Sequence, residues 1–359
     1  MKQHEFNYDW SMANTKFTKD KFKVFTCFSC GGGSSFGYKL AGGDVIGNNE
    51  IDPKMNEVYT LNHKPKYTFL ESIETFKLRK DLPQELYDLD ILDGSPPCSS
   101  FSMSGNREKD WGKEKKFREG QAEQVLDTLF FDFIDLAKEL QPKVVVAENV
   151  KGLLMGKAKR YVGEIGKAFD EAGYYVEKWL LNARNMGVPQ KRERVIFVAI
   201  RKDLADKFPE RHDLFNPMPN LDMVFKEEDI TFGEIYEEHE EIGELKLAPA
   251  YAKVWEHRKK GDLDLSCTNA RVFNRPNSFF SVNYIYQHKV VNTITGAEKN
   301  VLFDKKRGLT KNEIIKAGSF PSDYDFLDNK PGYIVGMSVP PIFMAQVAKR
   351  IFDQWLSKL

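Results

Sequence analysis

Lys23-Val24-Phe25-Thr26-Cys27-Phe28-Ser29-Cys30-Gly31-Gly32-Gly33-Ser34-Ser35-Phe36-Gly37 decides how this chain is read. Lys23 to Phe28 has the apolar and aromatic content of a strand. Three glycines then allow a tight turn, and a helix-like stretch runs on to Leu40 and Ala41. Working outward, Asp44 to Ile51 reads as a second strand, stopped by Asp52-Pro53. A third ends at Leu92, and a fourth is Lys143 to Ala147. Between those two, Val125, Leu126, Leu129, Phe130, Phe133, Ile134, Ala137 and Leu140 recur at spacings of three and four, as on an amphipathic helix. Tyr174 to Leu181 and Arg194 to Ile200 look like a final pair of strands. Strand alternating with helix predicts an α/β fold: a mostly parallel, doubly wound, Rossmann-like sheet with helices on both faces.

From about Phe208 to Asp304 this alternation breaks into prolines, aromatics and short strand-like pieces. An acidic run spans Glu227 to Glu244, and a basic one holds Lys253, His257, Arg258, Lys259 and Lys260. Helical patterning returns over Pro341 to Leu359, with Ile342, Phe343, Gln346, Val347, Ile351, Phe352 and Trp355. The expected organisation is a catalytic and cofactor-binding domain over 1–205, a smaller, irregular domain over 206–304, and a segment over 305–359 that returns to the first domain.

Length and composition allow one large domain with an insertion, or two domains, in 359 residues. Lys and Arg total 53 and Asp and Glu total 53, so net charge gives no hint of nucleic acid and any basic surface must be local. The opening MKQHEFNYDW has no signal-like apolar core, and no stretch approaches a membrane span. Four cysteines do not make a disulfide framework, so a reducing, cytoplasmic setting is expected. Cys27 and Cys30 form a C-x-x-C with no second ligand pair, better explained by a strand end than by a metal; no metal is expected.

In open α/β sheets, ligands sit beyond the carboxyl ends of the strands. The unusual segments here fall there: the glycines after the first strand, Glu50 closing the second, Gly94-Ser95-Pro96-Pro97-Cys98 after the third, and Glu148-Asn149 after the fourth. Pro96-Pro97 stiffens the turn that mounts the Cys98 thiol, which suits a nucleophile and also fits an ordinary loop cysteine. The glycine loop with Glu50 suits a nucleoside-type cofactor, Glu50 accepting from ribose hydroxyls and Phe28 stacking on an adenine. Glu148, following Val144-Val145-Val146-Ala147, is either a general acid or a capping or salt-bridged carboxylate. In Gln190-Lys191-Arg192-Glu193-Arg194, alternation puts Arg192 and Arg194 on one face, able to hold a polar ligand or simply starting a solvated strand.

The ordered set Phe28-Ser-Cys-Gly-Gly-Gly, Asn49-Glu50-Ile51-Asp52, Gly94-Ser-Pro-Pro-Cys98, Glu148-Asn149-Val150, Gln190-Lys-Arg192-Glu-Arg194 and Gly336-Met-Ser338-Val339-Pro-Pro resembles the DNA cytosine-5 methyltransferases, from about residue 22 to 355. The resemblance implies S-adenosyl-L-methionine as cofactor, double-stranded DNA as substrate and a target cytosine flipped from the helix. It implies Cys98 as the nucleophile at carbon 6, Glu148 as the residue engaging the ring nitrogen, and Arg192 and Arg194 as anchors of the base and active-site loop. It places Phe28, Ser29, Gly32, Gly33, Glu50, Ile51, Ser72, Pro96, Ser338 and Val339 at the cofactor. Met103 to Gly120, with three glycines and excess positive charge, looks like a loop that closes over DNA, with Ser102, Ser104 and Arg107 as DNA contacts. Target recognition is expected over about Phe208 to Asp304, with Arg271, Arg275, Asn269, Asn274 and Asn277 as base or phosphate contacts.

The chain departs from the family at Cys30, where glycine is usual, and at Met337, where asparagine is usual. Glu71-Ser72-Ile73 replaces an Asp-Ile pair, and Asn312-Glu313 and Gly318-Ser319-Phe320-Pro321 replace Arg-Glu and Gln-x-Phe-Pro. The leading expectation is a monomeric modification enzyme of a bacterial restriction system, beside a separately acting endonuclease. The tRNA cytosine methyltransferases share the architecture, but usually carry Cys-Phe-Thr where this chain has Ser266-Cys267-Thr268. A non-catalytic DNA-binding regulator is the third reading, opposed by the presence of Cys98, Glu148, Arg192 and Arg194.

Overall fold

The computed structural model describes residues 2–97, 114–115, 124–125, 128–156, 158–209, 217–238, 246–276, 281–297 and 299–359. They group into two compact units. The sheet unit comprises Lys16–Asn182, Glu193–Val224 and Phe343–Leu359. The second unit comprises Met1–Thr15, Ala183–Arg192 and Phe225–Ile342. The expected boundaries at 205/206 and 304/305 do not coincide with these limits, for two physical reasons. Gln190–Lys191 leaves the large sheet to pair in parallel with Val291–Asn292. Residues 305–342 stay in the second unit, where Arg307 and Glu313, 1% and 0% exposed, form a buried ion pair at 2.8 Å.

The sheet unit is built on seven strands: β1 Phe22–Cys27, β2 Gly43–Glu50, β3 Tyr67–Leu70, β4 Ile91–Gly94, β5 Val144–Val150, β6 Tyr174–Asn182 and β7 Glu193–Arg201. Their spatial order is β3-β2-β1-β4-β5-β7-β6. The first five run parallel, and β7 is antiparallel to both neighbours. The mostly parallel α/β sheet read from the sequence is therefore present. β4 and β5 are longer than expected, so that Asp93, Glu148 and Asn149 lie on strands rather than after them. β3 gave no clear signal because it is a four-residue edge strand with neither face fully buried.

Helix α1, Gly33–Leu40, follows β1, and α2, Pro53–His63, follows β2. Asp52 caps α2 by accepting from the amides of Lys54 and Met55, with Pro53 in the first turn. Helix α3, Leu129–Leu140, carries the expected apolar stripe from Leu129 onward, burying Leu129, Phe130, Phe133, Ile134, Leu136, Ala137 and Leu140; Val125, expected on it, pairs with Glu114 as a two-residue strand instead. Helix α4, Ala158–Glu171, was not anticipated; its buried stripe of Tyr161, Ile165 and Phe169 is narrow. Among the described residues no helix is long and apolar enough to cross a membrane.

In the second unit, a small core of Val254, Trp255, Leu265, Val282, Tyr284, Tyr286 and Val301 surrounds a short parallel pair, Asn283–Ile285 with Asn300–Leu302. In the described part of the acidic run, Glu227 hydrogen-bonds His4 at 2.9 Å, Glu234 meets Lys2 at 2.9 Å, and Asp229 pairs with Arg184.

Phe133 is fully buried in the main core and touches the site edge-on through Phe28, 6.3 Å between ring centres. Phe133→Ala should lower the unfolding free energy by about 3–5 kcal/mol, the range for emptying a buried aromatic site. Urea denaturation measures this, and a loss below about 1 kcal/mol would show that α3 does not anchor the sheet.

Candidate active site

The parallel pairing of β1 with β4 sets Cys27 opposite Gly94, and that of β4 with β5 sets Gly94 opposite Ala147. The glycine loop and the Pro-Pro turn thus leave adjacent strands, and Glu148 lies near the end of the third, all at the carboxyl ends where ligands sit in open α/β sheets.

The glycine loop is held by the end of β2. The Ser29 amide donates to the Asn49 carbonyl at 3.4 Å, and Ser29 Oγ accepts from Asn48 Nδ2 at 3.0 Å. The Cys30 amide donates to Glu50 Oε2 at 2.7 Å. Glu50 Oε1 accepts from the amides of Ile51 at 2.9 Å and Asp52 at 3.0 Å. Burial pushes the Glu50 carboxyl up, and these three amides pull it back. A carboxylate offers about four acceptor positions, so one remains for a ligand hydroxyl. Phe28 and Cys30 both have left-handed backbone, φ 54° and 45°. This accounts for the family's usual glycine at the Cys30 position: the conformation costs an L-residue about 1–2 kcal/mol.

Gly32 caps α1 with φ 75°, and a Cβ there would lie 2.0 Å from His63 Nε2. Only glycine fits. The His63 ring stacks on Tyr59, 4.4 Å between centres, and its Nδ1 lies 3.2 Å from Lys39 Nζ. Gly33 opens α1 directly after this turn. Ser72 caps a short helix, accepting from the Thr75 amide at 3.2 Å, while Asn49 Nδ2 donates to the Glu71 carbonyl at 2.8 Å.

At β4, Pro96 is buried and its carbonyl accepts from Asn149 Nδ2 at 3.2 Å. The Asn149 side chain therefore ties the Pro-Pro turn to β5. Its neighbour Glu148 makes an ion pair with Arg194, Nε to Oε1 at 2.7 Å, both side chains largely buried. Arg194 also donates to the Glu193 carbonyl at 2.8 Å.

Arg192 does not share this partner. It lies in the second unit, 2% exposed, donating to the carbonyls of Ile294 at 3.3 Å and Gly336 at 3.0 Å. Simple strand alternation fails because Arg192 precedes β7, at a break between two strands. Ser338 and Val339, also in the second unit, are buried, and Ser338 Oγ has no hydrogen-bond partner among the described residues. A Cβ on Gly336 would lie 2.5 Å from the Gly296 amide, so the helix Pro331–Met337 sits directly on the 295–296 backbone. Met337 is 40% exposed there, so its side chain is not part of the packing.

Cys98, Ser102, Ser104, Arg107, the rest of the expected DNA-closing loop except 114–115, and Asn277 lie outside the described residues. Arg271 is engaged rather than open: it pairs with Asp262 at 2.7 Å and donates to the His257 carbonyl at 2.9 Å. Arg275 and Asn274 are exposed, and Asn269 is half-buried. Burial, with the charges of Asp93 and Glu50, pushes the Cys27 thiol well up, which removes it from redox or nucleophilic chemistry.

Sequence reasoning passed over Asp93. Its carboxylate is 1% exposed and accepts from the hydroxyls of Thr26 at 2.9 Å, Ser34 at 2.9 Å and Tyr38 at 3.0 Å. Burial pushes its pKa up to about 6 against those three hydrogen bonds, with the charge of Glu148 adding to the rise. A polar residue interrupting the apolar β4 was the available signal. Because the native carboxyl holds its proton to a higher pH than the unfolded one, wild-type stability falls as pH rises from about 4 to 6. Relative to wild type, Asp93→Asn should therefore gain up to about 3 kcal/mol between pH 4 and pH 8. Parallel urea titrations measure this, and a pH-independent difference would contradict it.

The family model for C-5 cytosine-specific DNA methylase matches residues 22–353. Over 182 residues the chain is 38% identical to Type II methyltransferase M.FnuDI of Fusobacterium nucleatum, covering 51% of this chain and 48% of that protein. Over 334 residues it is 29% identical to Type II methyltransferase M1.HphI of Haemophilus parahaemolyticus, covering 90% and 85%. The chain thus spans about half the length of the first relative and most of the second. A solved structure described as a DNA modification methyltransferase encoded within an E. coli prophage superposes with a TM-score of 0.64 at 20% identity, covering 93% of this chain and 99% of that one, which shows a shared fold. With the motif segments in family order and the family model spanning most of its length, the chain belongs to the C-5 cytosine-specific DNA methylases.

Proposed function

We propose that this protein transfers a methyl group from S-adenosyl-L-methionine to carbon 5 of a flipped-out cytosine in a specific double-stranded DNA sequence. The observation that carries the reading is the Asn149 amide on the Pro96 carbonyl, which seats the Glu148–Arg194 pair beside the turn leading to Cys98. Family membership supports the same chemistry.

The residues fit the cofactor: a glycine turn with no room for a side chain, a buried Glu50 with one acceptor position left, and the ring of Phe28 at the strand end. Phe28, Ser29, Gly32, Gly33, Glu50, Ile51, Ser72 and Pro96 are the proposed contacts in the sheet unit. When bound, the cofactor supplies an electrophilic methyl group on sulfur.

The chain's own residues do the rest. The Cys98 thiolate adds to carbon 6 of the ring, making carbon 5 enamine-like. Glu148, oriented by Arg194, donates its proton to the ring nitrogen as the thiolate adds, offsetting the negative charge that builds there. After carbon 5 gains the methyl group, its proton passes to solvent water, the double bond re-forms, the Cys98 thiolate is expelled, and the ring-nitrogen proton returns to Glu148. Arg192 holds the backbone around Ile294 and Gly336 in place. We further propose that the enzyme acts as a monomer in the cytoplasm, as the modification half of a restriction system whose endonuclease works separately. Arg271 and Arg275 contribute to DNA contact, as do Ser102, Ser104 and Arg107.

DNA carrying 5-fluorocytosine at the target site should trap a denaturation-resistant adduct with wild type and none with Cys98→Ser. Absence of an adduct on any DNA that the enzyme methylates would remove Cys98 as nucleophile. Glu148→Gln should lower kcat by about 100-fold or more while cofactor binding persists, the usual scale for a general acid–base group. Near-normal turnover would take Glu148 out of the mechanism. Transfer to tRNA with none to duplex DNA would overturn the substrate assignment.

A further inference from the structure

The Asp93 carboxylate has no cation within ion-pair distance among the described residues. A fully buried carboxylate compensated only by neutral hydroxyls is costly to keep. Its three donors come from the two elements that flank the glycine loop. Thr26 is on β1, two residues before the loop begins, and sits opposite Asp93 in the β1–β4 register. Ser34 and Tyr38 are on α1, immediately after the loop. Asp93 itself is the residue before Gly94, on the strand that runs into the Pro-Pro turn. Nothing in the hydrophobic packing requires this arrangement: an apolar residue at 93 would suit a strand flanked by Val24, Phe25, Val145 and Val146, all fully buried.

We propose that Asp93 is a positioning residue that clamps the glycine loop, through Thr26 on one side and Ser34 and Tyr38 on the other, against the strand bearing the Pro-Pro turn. The clamp fixes the loop's two ends relative to β4, so the cofactor-facing backbone is set before any ligand arrives. Charge-assisted hydrogen bonds are stronger and shorter than neutral ones, which suits a carboxylate to hold three donors at once. An asparagine retains the shape of the side chain and only one acceptor oxygen. Tyr38 on α1 and Glu148 on β5 share this face with Asp93, and Cys27 on the other face of β1 is coupled to it electrostatically. The functional half of this proposal rests on the cofactor reading above.

The test uses the full chain, with S-adenosylhomocysteine affinity by calorimetry and amide hydrogen exchange in the absence of ligand. Asp93→Asn should weaken S-adenosylhomocysteine about tenfold and speed exchange over residues 29–38 about tenfold, while Val195–Ile200 is unchanged. Ser34→Ala should weaken binding severalfold in wild type, yet have no further effect in the Asp93→Asn background. That non-additivity is not expected of a residue that merely contributes to stability. Additive effects, or unchanged exchange over 29–38, would overturn the proposal. If Asp93→Asn fails to fold, Tyr38→Phe removes one donor, and the cycle is run with Ser34→Ala and Tyr38→Phe under the same criteria. Should wild type itself fail to bind S-adenosylhomocysteine, the cofactor reading falls, while the exchange measurement still decides whether the clamp exists.

Discussion

The parallel pairing of β1 with β4, Thr26 opposite Asp93 and Cys27 opposite Gly94, is the constraint on which the candidate site depends. Parallel strands release their chains at the same end, so this register puts the glycine loop and the Pro-Pro turn next to each other. β5 extends the row by one strand and adds Glu148 and Asn149. A one-residue slip would exchange the two faces of each strand and turn Thr26 and Asp93 away from Ser34 and Tyr38, so the register is specified by what each face meets.

Three carboxylates lie close to that edge, and each is compensated differently. Glu50 is held by backbone amides, Asp93 by hydroxyls and Glu148 by a guanidinium. The differences match distinct tasks. Amides fix loop geometry and leave Glu50 an open acceptor position. Hydroxyls from two elements make Asp93 a cross-brace. A guanidinium orients Glu148. Asp93 and Glu148 lie on the same face, since Asp93 is opposite Val146 and Glu148 is two residues further on. The rise of the Asp93 pKa accordingly includes the charge of Glu148.

Much of the sheet was legible because its strands are buried on both faces and read as short apolar runs bounded by glycine, proline or acidic residues. The edge strand Tyr67–Leu70 was not, since half-exposed residues carry little pattern. The positions of Cys98 and Glu148 in the chain were legible from motif order, but the Glu148–Arg194 pair was not, because strand pairing between β5 and β7 joins residues 46 apart. Arg192 and Arg194 were expected on one face, and the break between Gln190–Lys191 and β7 separates them. Asp93 escaped notice for a related reason: its donors lie 55 to 67 residues away in sequence, and only the fold brings them together.

The central claim is methyl transfer to carbon 5 of cytosine in duplex DNA. Nucleoside mass spectrometry after incubation of the protein with isotopically labelled S-adenosylmethionine and unmodified double-stranded DNA tests it directly. The account predicts label in 5-methyldeoxycytidine alone, abolished by Cys98→Ser. Label in N4-methyldeoxycytidine or N6-methyldeoxyadenosine, or label that survives Cys98→Ser, would contradict it.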